Sequence, residues 1–265
     1  MTEDGPVRVE RDGVAFLVEP DRRDASELAF WKSFSAGWER DTLAAIAALL
    51  PAGGVYLDIG AWIGPTLLFA ASRASEAHGF EPDPAAYAKL ERNVAHNPEL
   101  AARIRIEPVA VWTRDAMLSF AVAGPGASTT SPVLKQGETA ALEAQALDAR
   151  GPAIAPLFAR ADFVKIDVEG AEFDLIPHIA PLLAERRPAL HLSFHAHRLD
   201  RTDPVAWREK QRACVAALDF YPLVLTWHKD AWHDISAKRD AAYDDALSRN
   251  GLEGALLYVA PGTSV

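Results

Sequence analysis

The segment Val55-Tyr-Leu-Asp-Ile-Gly-Ala-Trp-Ile-Gly64 constrains this chain more than any other. An apolar strand pattern reaches a carboxylate, Asp58, then a turn with glycines at 60 and 64, then a helical pattern. About 20 residues on, Gly79-Phe-Glu-Pro-Asp-Pro84 repeats the arrangement, a short strand ending in the carboxylate of Glu81. A glycine after a strand lets the backbone approach a ligand closely. An acidic group on the next strand tip can hold two ribose hydroxyls. Two such units in succession call for a parallel sheet with crossover helices and an adenosine-containing cofactor at the strand tops.

The rest of the chain extends the pattern. Residues 7–19 alternate in polarity around Asp12-Gly13 and read as a hairpin. Residues 24–50 have a helical period, broken near Ser35-Ala36-Gly37 and stopped at Pro51-Ala-Gly-Gly54. Residues 1–50 are therefore expected to form a hairpin and helical cap, and 51–265 the main domain. Strands are predicted at 55–58, 78–81, 103–109, 163–167 and 190–194, with helices at 66–75, 84–97 and 171–183. Between 112 and 148 the order loosens: 117–122 and 142–147 read as strands, and 124–132 as a loop of small residues. A helix at 205–218 leads to a strand at 221–227, then a polar connection, then a strand at 255–259 that closes the sheet. The alternation predicts an α/β, doubly wound, Rossmann-like sheet, mostly parallel, with helices on both faces and ligands beyond the carboxyl ends of the strands. The long connection before the last strand predicts an antiparallel strand near the C-terminus.

Composition narrows the partners. A chain that is 49% hydrophobic and 24% charged has a full globular core. A formal charge of -10 opposes contact with a phosphate backbone, so no nucleic-acid partner is expected. No apolar run is long enough for a bilayer, and no basic-then-apolar start suggests a signal peptide. The single cysteine, Cys214, fits a reducing compartment, and a cytoplasmic location is expected. Cys214 lies in an apolar helical stretch and reads as a buried, inert thiol. No signal for an oligomeric state is present.

A dehydrogenase fingerprint places its first two glycines two apart and a third three further on. Here Gly60 and Gly64 are four apart and an acidic residue ends the strand before them. That arrangement suits S-adenosylmethionine better than a nicotinamide, and an NAD-dependent oxidoreductase is the rival reading.

The stretch Phe163-Val-Lys-Ile-Asp-Val-Glu-Gly-Ala-Glu172 should deliver Asp167 and Glu169 to the rim that carries Asp58, with Lys165 on the side of Asp167. Such groups can orient an acceptor, take its proton or hold a metal. At a helix start, Glu169 and Glu172 would also favour the helix dipole. In His191-Leu-Ser-Phe-His195-Ala-His197, the residues His191, Ser193 and His195 share a face. His195, near the rim, is the first candidate general base. It could also converge with Asp167 and Glu169 on a divalent metal, but the spacing is not diagnostic and no metal ligands are assigned. His228 and His233 read as surface polar groups.

Taken together, Asp58-Ile-Gly60-Ala, Gly64, Phe80-Glu81-Pro82-Asp83, Leu147-Asp148 and above all Lys165-Ile-Asp-Val-Glu-Gly-Ala-Glu172 resemble the FkbM-type methyltransferases, a branch of the class I S-adenosylmethionine-dependent enzymes. The resemblance runs from about Trp38 to His195. It implies O-methylation of a small-molecule hydroxyl, on a sugar or natural product. On that reading Asp58, Gly60, Trp62 and Gly64 attend the methionine side of the cofactor. Glu81 and the adjoining Pro82 attend the ribose, and Val109, Ala110 and Val111, at the end of the third strand, flank the adenine. His195, Asp167 and Glu169 form the catalytic side. The chain departs from the family at two points: Trp62 replaces the usual asparagine, and Ser193 a common glutamate. A non-catalytic protein that keeps the cofactor pocket is the reading from another class.

Overall fold

A computed structural model describes residues 5–122, 130–131 and 142–260. Strands β1 (Val7–Arg11) and β2 (Val14–Val18) form the expected hairpin, with Asp12 and Gly13 both at positive φ in its turn. Helix α1 (Ala25–Ala36) starts where the Asp24 side chain accepts from the amides of Ser26 and Glu27, and stops at Gly37. Helix α2 (Arg40–Leu49) follows Glu39, which sits at φ 45°. Then come β3 (Val55–Ile59), α3 (Pro65–Ala71), β4 (Glu76–Phe80), α4 (Pro84–Ala95), the single turn α5 (Pro98–Ala101) and β5 (Ile104–Glu107). The chain next forms β6 (Ala110–Trp112), β7 (Ala116–Val122), β8 (Thr130–Ser131) and β9 (Leu142–Asp148). The short α6 (Ala155–Phe158) returns it to β10 (Phe163–Ile166), α7 (Glu172–Arg186), β11 (Ala189–His195), α8 (Pro204–Ala216), β12 (Leu223–His228), β13 (Ala231–Asp234), α9 (Arg239–Arg249) and β14 (Glu253–Val259).

The main sheet has eight strands in the order β13-β12-β14-β11-β10-β3-β4-β5. The pairs β5·β4, β4·β3, β3·β10 and β10·β11 are parallel. The expected antiparallel strand is β14, but it does not close the sheet at an edge. It slots between β11 and β12, antiparallel to both. Strand order reverses at β3, whose neighbours β4 and β10 lead away in opposite directions, and a crevice opens there above the strand ends.

Two apolar layers flank the sheet. Leu57, Ile59, Val164, Ile166 and Leu192 pack under α7 and α8, with Phe173, Ile176 and Cys214. Tyr56, Phe163 and Leu257 face the other way, against Leu43 and Ile46 of α2 and Leu67 and Leu68 of α3. The second layer also contains Val9, Phe16, Trp31 and Phe34, so the N-terminal hairpin and α1 share a core with the sheet. Two side-chain amides fasten the hairpin, Asn93 of α4 and Asn97 at the start of α5. Asn97 accepts from the Leu17 amide at 2.8 Å and donates to the Leu17 carbonyl at 2.7 Å, and Asn93 accepts from the Glu19 amide at 2.8 Å. These side chains stand in for a third strand along β2. Asn93 also donates to the carbonyl of Ile63 at 2.9 Å, which ties the hairpin to the glycine turn.

Three regions differ from the sequence reading. Strand β5 ends at Glu107, and Ala110–Trp112 belongs to a separate small sheet of order β6-β9-β7-β8. The polar connection after β12 contains β13 and α9. The helix buries only Tyr243 and Leu247, a stripe too thin to register as a period. Of the small-residue loop at 124–132, Thr130 and Ser131 pair with β7, and the remainder lies outside the described residues. Cys214 is fully buried and burial pushes its thiol well up, as an inert core thiol requires. His228 and His233 are exposed, on the β12–β13 hairpin.

Candidate active site

Parallel register places Asp58, Lys165 and His191 side by side across three strands, on the α2–α3 face. Lys165 Nζ lies 3.2 Å from Asp58 Oδ1 and donates to the Gly60 carbonyl at 3.2 Å. Asp58 also accepts from Thr66 Oγ1 at 2.7 Å and Tyr56 Oη at 3.3 Å. Burial raises the Asp58 carboxyl despite the neighbouring lysine. Burial opposes the Lys165 charge, but Asp58, Asp167 and Glu39 outweigh it and its pKa is raised. Asp58 is thus a fully buried support that holds Lys165 under the turn, and it does not itself line the crevice. Gly64 is likewise outside the lining. It begins α3 at φ 93°, where a Cβ would stand 2.6 Å from Leu90 Cδ1, so its glycine serves turn geometry and packing.

The turn above is tightly drawn. Gly60 has φ 85°, and a Cβ there would meet the Asp167 carbonyl oxygen at 1.9 Å. No other residue type lets the β3 and β10 exits pass so closely. Trp62 has φ 49°, a left-handed conformation in which a bulky side chain is an outlier and asparagine is at home. Glu81 accepts from the Trp62 amide at 2.9 Å and the Asp83 amide at 2.8 Å. Burial pushes its carboxyl up to about 7. The Trp62 indole meets Phe30 edge-on at 4.5 Å between centroids, and Phe30 meets Trp38 the same way at 4.7 Å.

Over these strand ends lies a cavity of about 340 Å³. Its floor is Ile59, Gly60 and Lys165, and one side is Phe80, Glu81 and Pro82. The small sheet and its approach supply a wall of Val109, Ala110, Val111, Trp112, Leu118 and Phe120. The N-terminal segment supplies Phe30, Trp38 and Glu39, and the opposite rim Asp167, Glu169 and His195. Of the expected site residues, Gly60, Trp62, Glu81, Pro82, Val109, Ala110, Val111, Asp167, Glu169 and His195 share this one cavity. Val109–Val111 reach it from beyond the third strand, as the link into β6 and its first residues, and not as that strand's end. Ser193 is half-buried on β11 and outside the lining.

His195 is ringed by carboxylates. Its Nε2 lies 3.5 Å from Asp167 and 3.8 Å from Glu169, and its Nδ1 3.4 Å from Glu172. Burial disfavours the imidazolium, but Glu172, Asp167 and Glu169 overcome it and push the ring up to about 9. In the free protein the protonated ring is therefore favoured at neutral pH, and the ring must lose that proton before it can serve as the general base. Glu172 is fully buried and accepts from the amides of His195 at 2.6 Å and Gly170 at 2.8 Å, so it fixes the rim from beneath. One ligand atom each from Asp167, Glu169 and His195 fall within 4.8 Å of one another, close enough to share a cation.

Sequence reasoning missed Glu39. It sits between α1 and α2 at φ 45°, lines the cavity, and its Oε2 is closed to solvent with no hydrogen-bond partner among the described residues. Burial, reinforced by Asp167, Asp41 and Asp58 against the pull of Lys165, pushes its carboxyl up to about 8. Three of the seven non-glycine residues at positive φ among the described residues, Glu39, Trp62 and Glu169, line this cavity. Each of the three holds a left-handed backbone at the edge of the site.

The sheet order and the crevice at its switch point are those of a Rossmann-like α/β domain. Residues 58–214 match the methyltransferase FkbM domain family, and the chain belongs to that family. No functionally curated protein matches it. Among solved structures, the chain is similar to the methyltransferase FkbM of Methylobacillus flagellatus KT, at 14% identity and a TM-score of 0.47, over 78% of this chain and 44% of that one. It thus spans less than half the length of that protein. It is also similar to a precorrin-6y C5,15-methyltransferase of Geobacter metallireducens GS-15, at 11% identity and a TM-score of 0.40, over 84% and 89% of the two chains. A geranyl diphosphate methyltransferase solved with SAM is similar at 10% identity and a TM-score of 0.41, over 91% and 92%. Among the described residues no helix is long and apolar enough to cross a membrane.

Proposed function

We propose that this protein transfers a methyl group from S-adenosylmethionine to a hydroxyl of a small molecule such as a sugar or natural product. The observation that carries the reading is the meeting of Gly60, Glu81, Asp167 and His195 in one crevice at the switch point of the sheet. The residues fit the cofactor chemically. Carboxylates outnumber cations around the crevice, and one of them, Glu39, has a buried oxygen without a partner among the described residues, which suits a cationic ligand.

In this reading Gly60 and the turn flank the methionine side, with Asp58 acting from below through Lys165. Glu81 takes the ribose hydroxyls, and the Val109–Val111 wall the adenine. The cofactor supplies a methyl group made electrophilic by its sulfonium. The protein supplies alignment, exclusion of water and removal of the acceptor's proton. Asp167 and Glu169 orient the hydroxyl, and His195, once it has lost its own proton, takes the acceptor's proton at Nε2. The protein is expected to act as a cytoplasmic enzyme without nucleic-acid or membrane partners.

The test is incubation with S-adenosylmethionine and a library of hydroxylated acceptors, followed by mass spectrometry. Release of S-adenosylhomocysteine with a gain of one methylene on an oxygen supports the reading. Methylation at nitrogen or carbon, or no turnover across sugars and phenolic natural products, removes it.

A further inference from the structure

Among the described residues, no hydrogen-bond donor reaches Oε2 of Glu39 in the free protein. Glu39 is half-buried, but a carboxylate oxygen closed to solvent without a partner is costly, and it persists in a fold only where something compensates. Glu39 is held there by design of the backbone: it occupies a left-handed position between two helices, which turns it into the cavity from the N-terminal side. Its charged neighbours are Lys165, Asp167, Asp41 and Asp58, so it faces the corner where Gly60 turns above Lys165. We infer that Glu39 is the counter-charge for the α-ammonium group of the cofactor's amino-acid end, a specificity residue that distinguishes cofactors carrying this group from those that lack it. Lys165 lines the same corner and offers a cation for the accompanying carboxylate, which suits a zwitterion. The inference rests on the methyltransferase reading above and adds which residue recognises the amino acid.

The experiment compares S-adenosylhomocysteine with 5′-methylthioadenosine, which keeps adenosine and sulfur but lacks the amino-acid end. Neither carries a sulfonium, so that charge does not enter. In calorimetry, Glu39→Gln should weaken S-adenosylhomocysteine on the order of 10- to 100-fold, the scale of a hydrogen bond to a charged group, and leave 5′-methylthioadenosine unchanged. Equal weakening of both ligands, or of neither, overturns the inference. Wild-type protein that binds neither ligand sinks the cofactor reading itself, a result distinct from the other two.

A second measurement needs no variant. The groups facing Glu39 hold its carboxyl up to about 8, so at pH 7 an ammonium partner forces its ionisation. Titrations in buffers of different ionisation enthalpy should show ~1 proton more released with S-adenosylhomocysteine than with 5′-methylthioadenosine. Any proton change at Glu81 on ribose binding is common to both ligands and cancels. Equal proton release for the two ligands overturns the inference even if the variant does not fold.

Discussion

The carboxylate of Glu81 accepts a hydrogen bond from the backbone amide of Trp62 at 2.9 Å. The tip of β4 thereby holds the glycine turn of β3 in place, across the crevice where the strand order reverses. Its other oxygen accepts from the Asp83 amide at 2.8 Å, at the start of α4. Each carboxylate oxygen keeps a further lone pair, so the group can serve the turn and two ribose hydroxyls together.

Glu81→Ala is expected to weaken S-adenosylmethionine by about 1.5–3 kcal/mol. It also frees the Trp62 and Asp83 amides, so the melting temperature should fall with it. Calorimetry on the folded variant checks the assignment, and unchanged affinity would refute it.

Trp62 should report the ligand. Its indole lines the cavity and rests edge-on against Phe30, so tryptophan fluorescence should change as S-adenosylmethionine is added. Trp62→Phe should abolish most of that change. A response of the same size in the variant would assign the signal to another of the seven tryptophans.

The acid limb of the rate profile belongs to His195 in this account. Its ring, raised to about 9 by Glu172, Asp167 and Glu169 against the effect of burial, must lose a proton before it can act as a base. Thus kcat/KM should climb with pH and level off above about 9. The bound sulfonium repels the imidazolium charge, so the limb in kcat should lie at lower pH than the limb in kcat/KM. His195→Ala should remove the limb in kcat and slow turnover by about 100- to 10,000-fold with cofactor affinity nearly intact. Loss of activity in EDTA that returns with a divalent ion would reassign the ring to a metal site shared with Asp167 and Glu169.

Between pH 4.5 and about 9, the titrations of Glu39 and His195 should lower stability as pH rises. Glu39 titrates near 4.5 when unfolded and at about 8 when folded, so its protonated form favours the fold, and that contribution is lost between those values. His195 works in the same direction, with its contribution full below 6.5 and lost as pH passes about 9. Glu39→Gln should therefore melt at nearly the wild-type temperature at pH 4.5 and roughly several degrees higher at pH 8. A wild-type melting temperature that rises from pH 5 to pH 8, with no gain in the variant at pH 8, would contradict this account.

The alternation of strand and helix determined the sheet, because period-2 and period-3.6 patterns are local properties of a chain. The glycines and acids at strand ends were legible for the same reason, since each lies within a few residues of the strand that places it. Thus Gly60, Glu81, Asp167 and His195 could be assigned to one rim from their positions alone, and the antiparallel last strand was foreseeable from its long connection. Its insertion between β11 and β12 was not, because pairing order depends on contacts far apart in the chain. Helix α9, with two buried residues, gave no period to read. Asp58 and Gly64 carry the motif, yet only packing shows that they support the crevice from outside its lining. The charge on His195 depends on Glu172, whose carboxylate reaches it from the helix before its own strand. Glu39 has no sequence signature at all. It becomes a site residue because the hairpin, fastened by Asn93 and Asn97, and the break between two helices carry it over the sheet, and that placement is decided by tertiary packing alone.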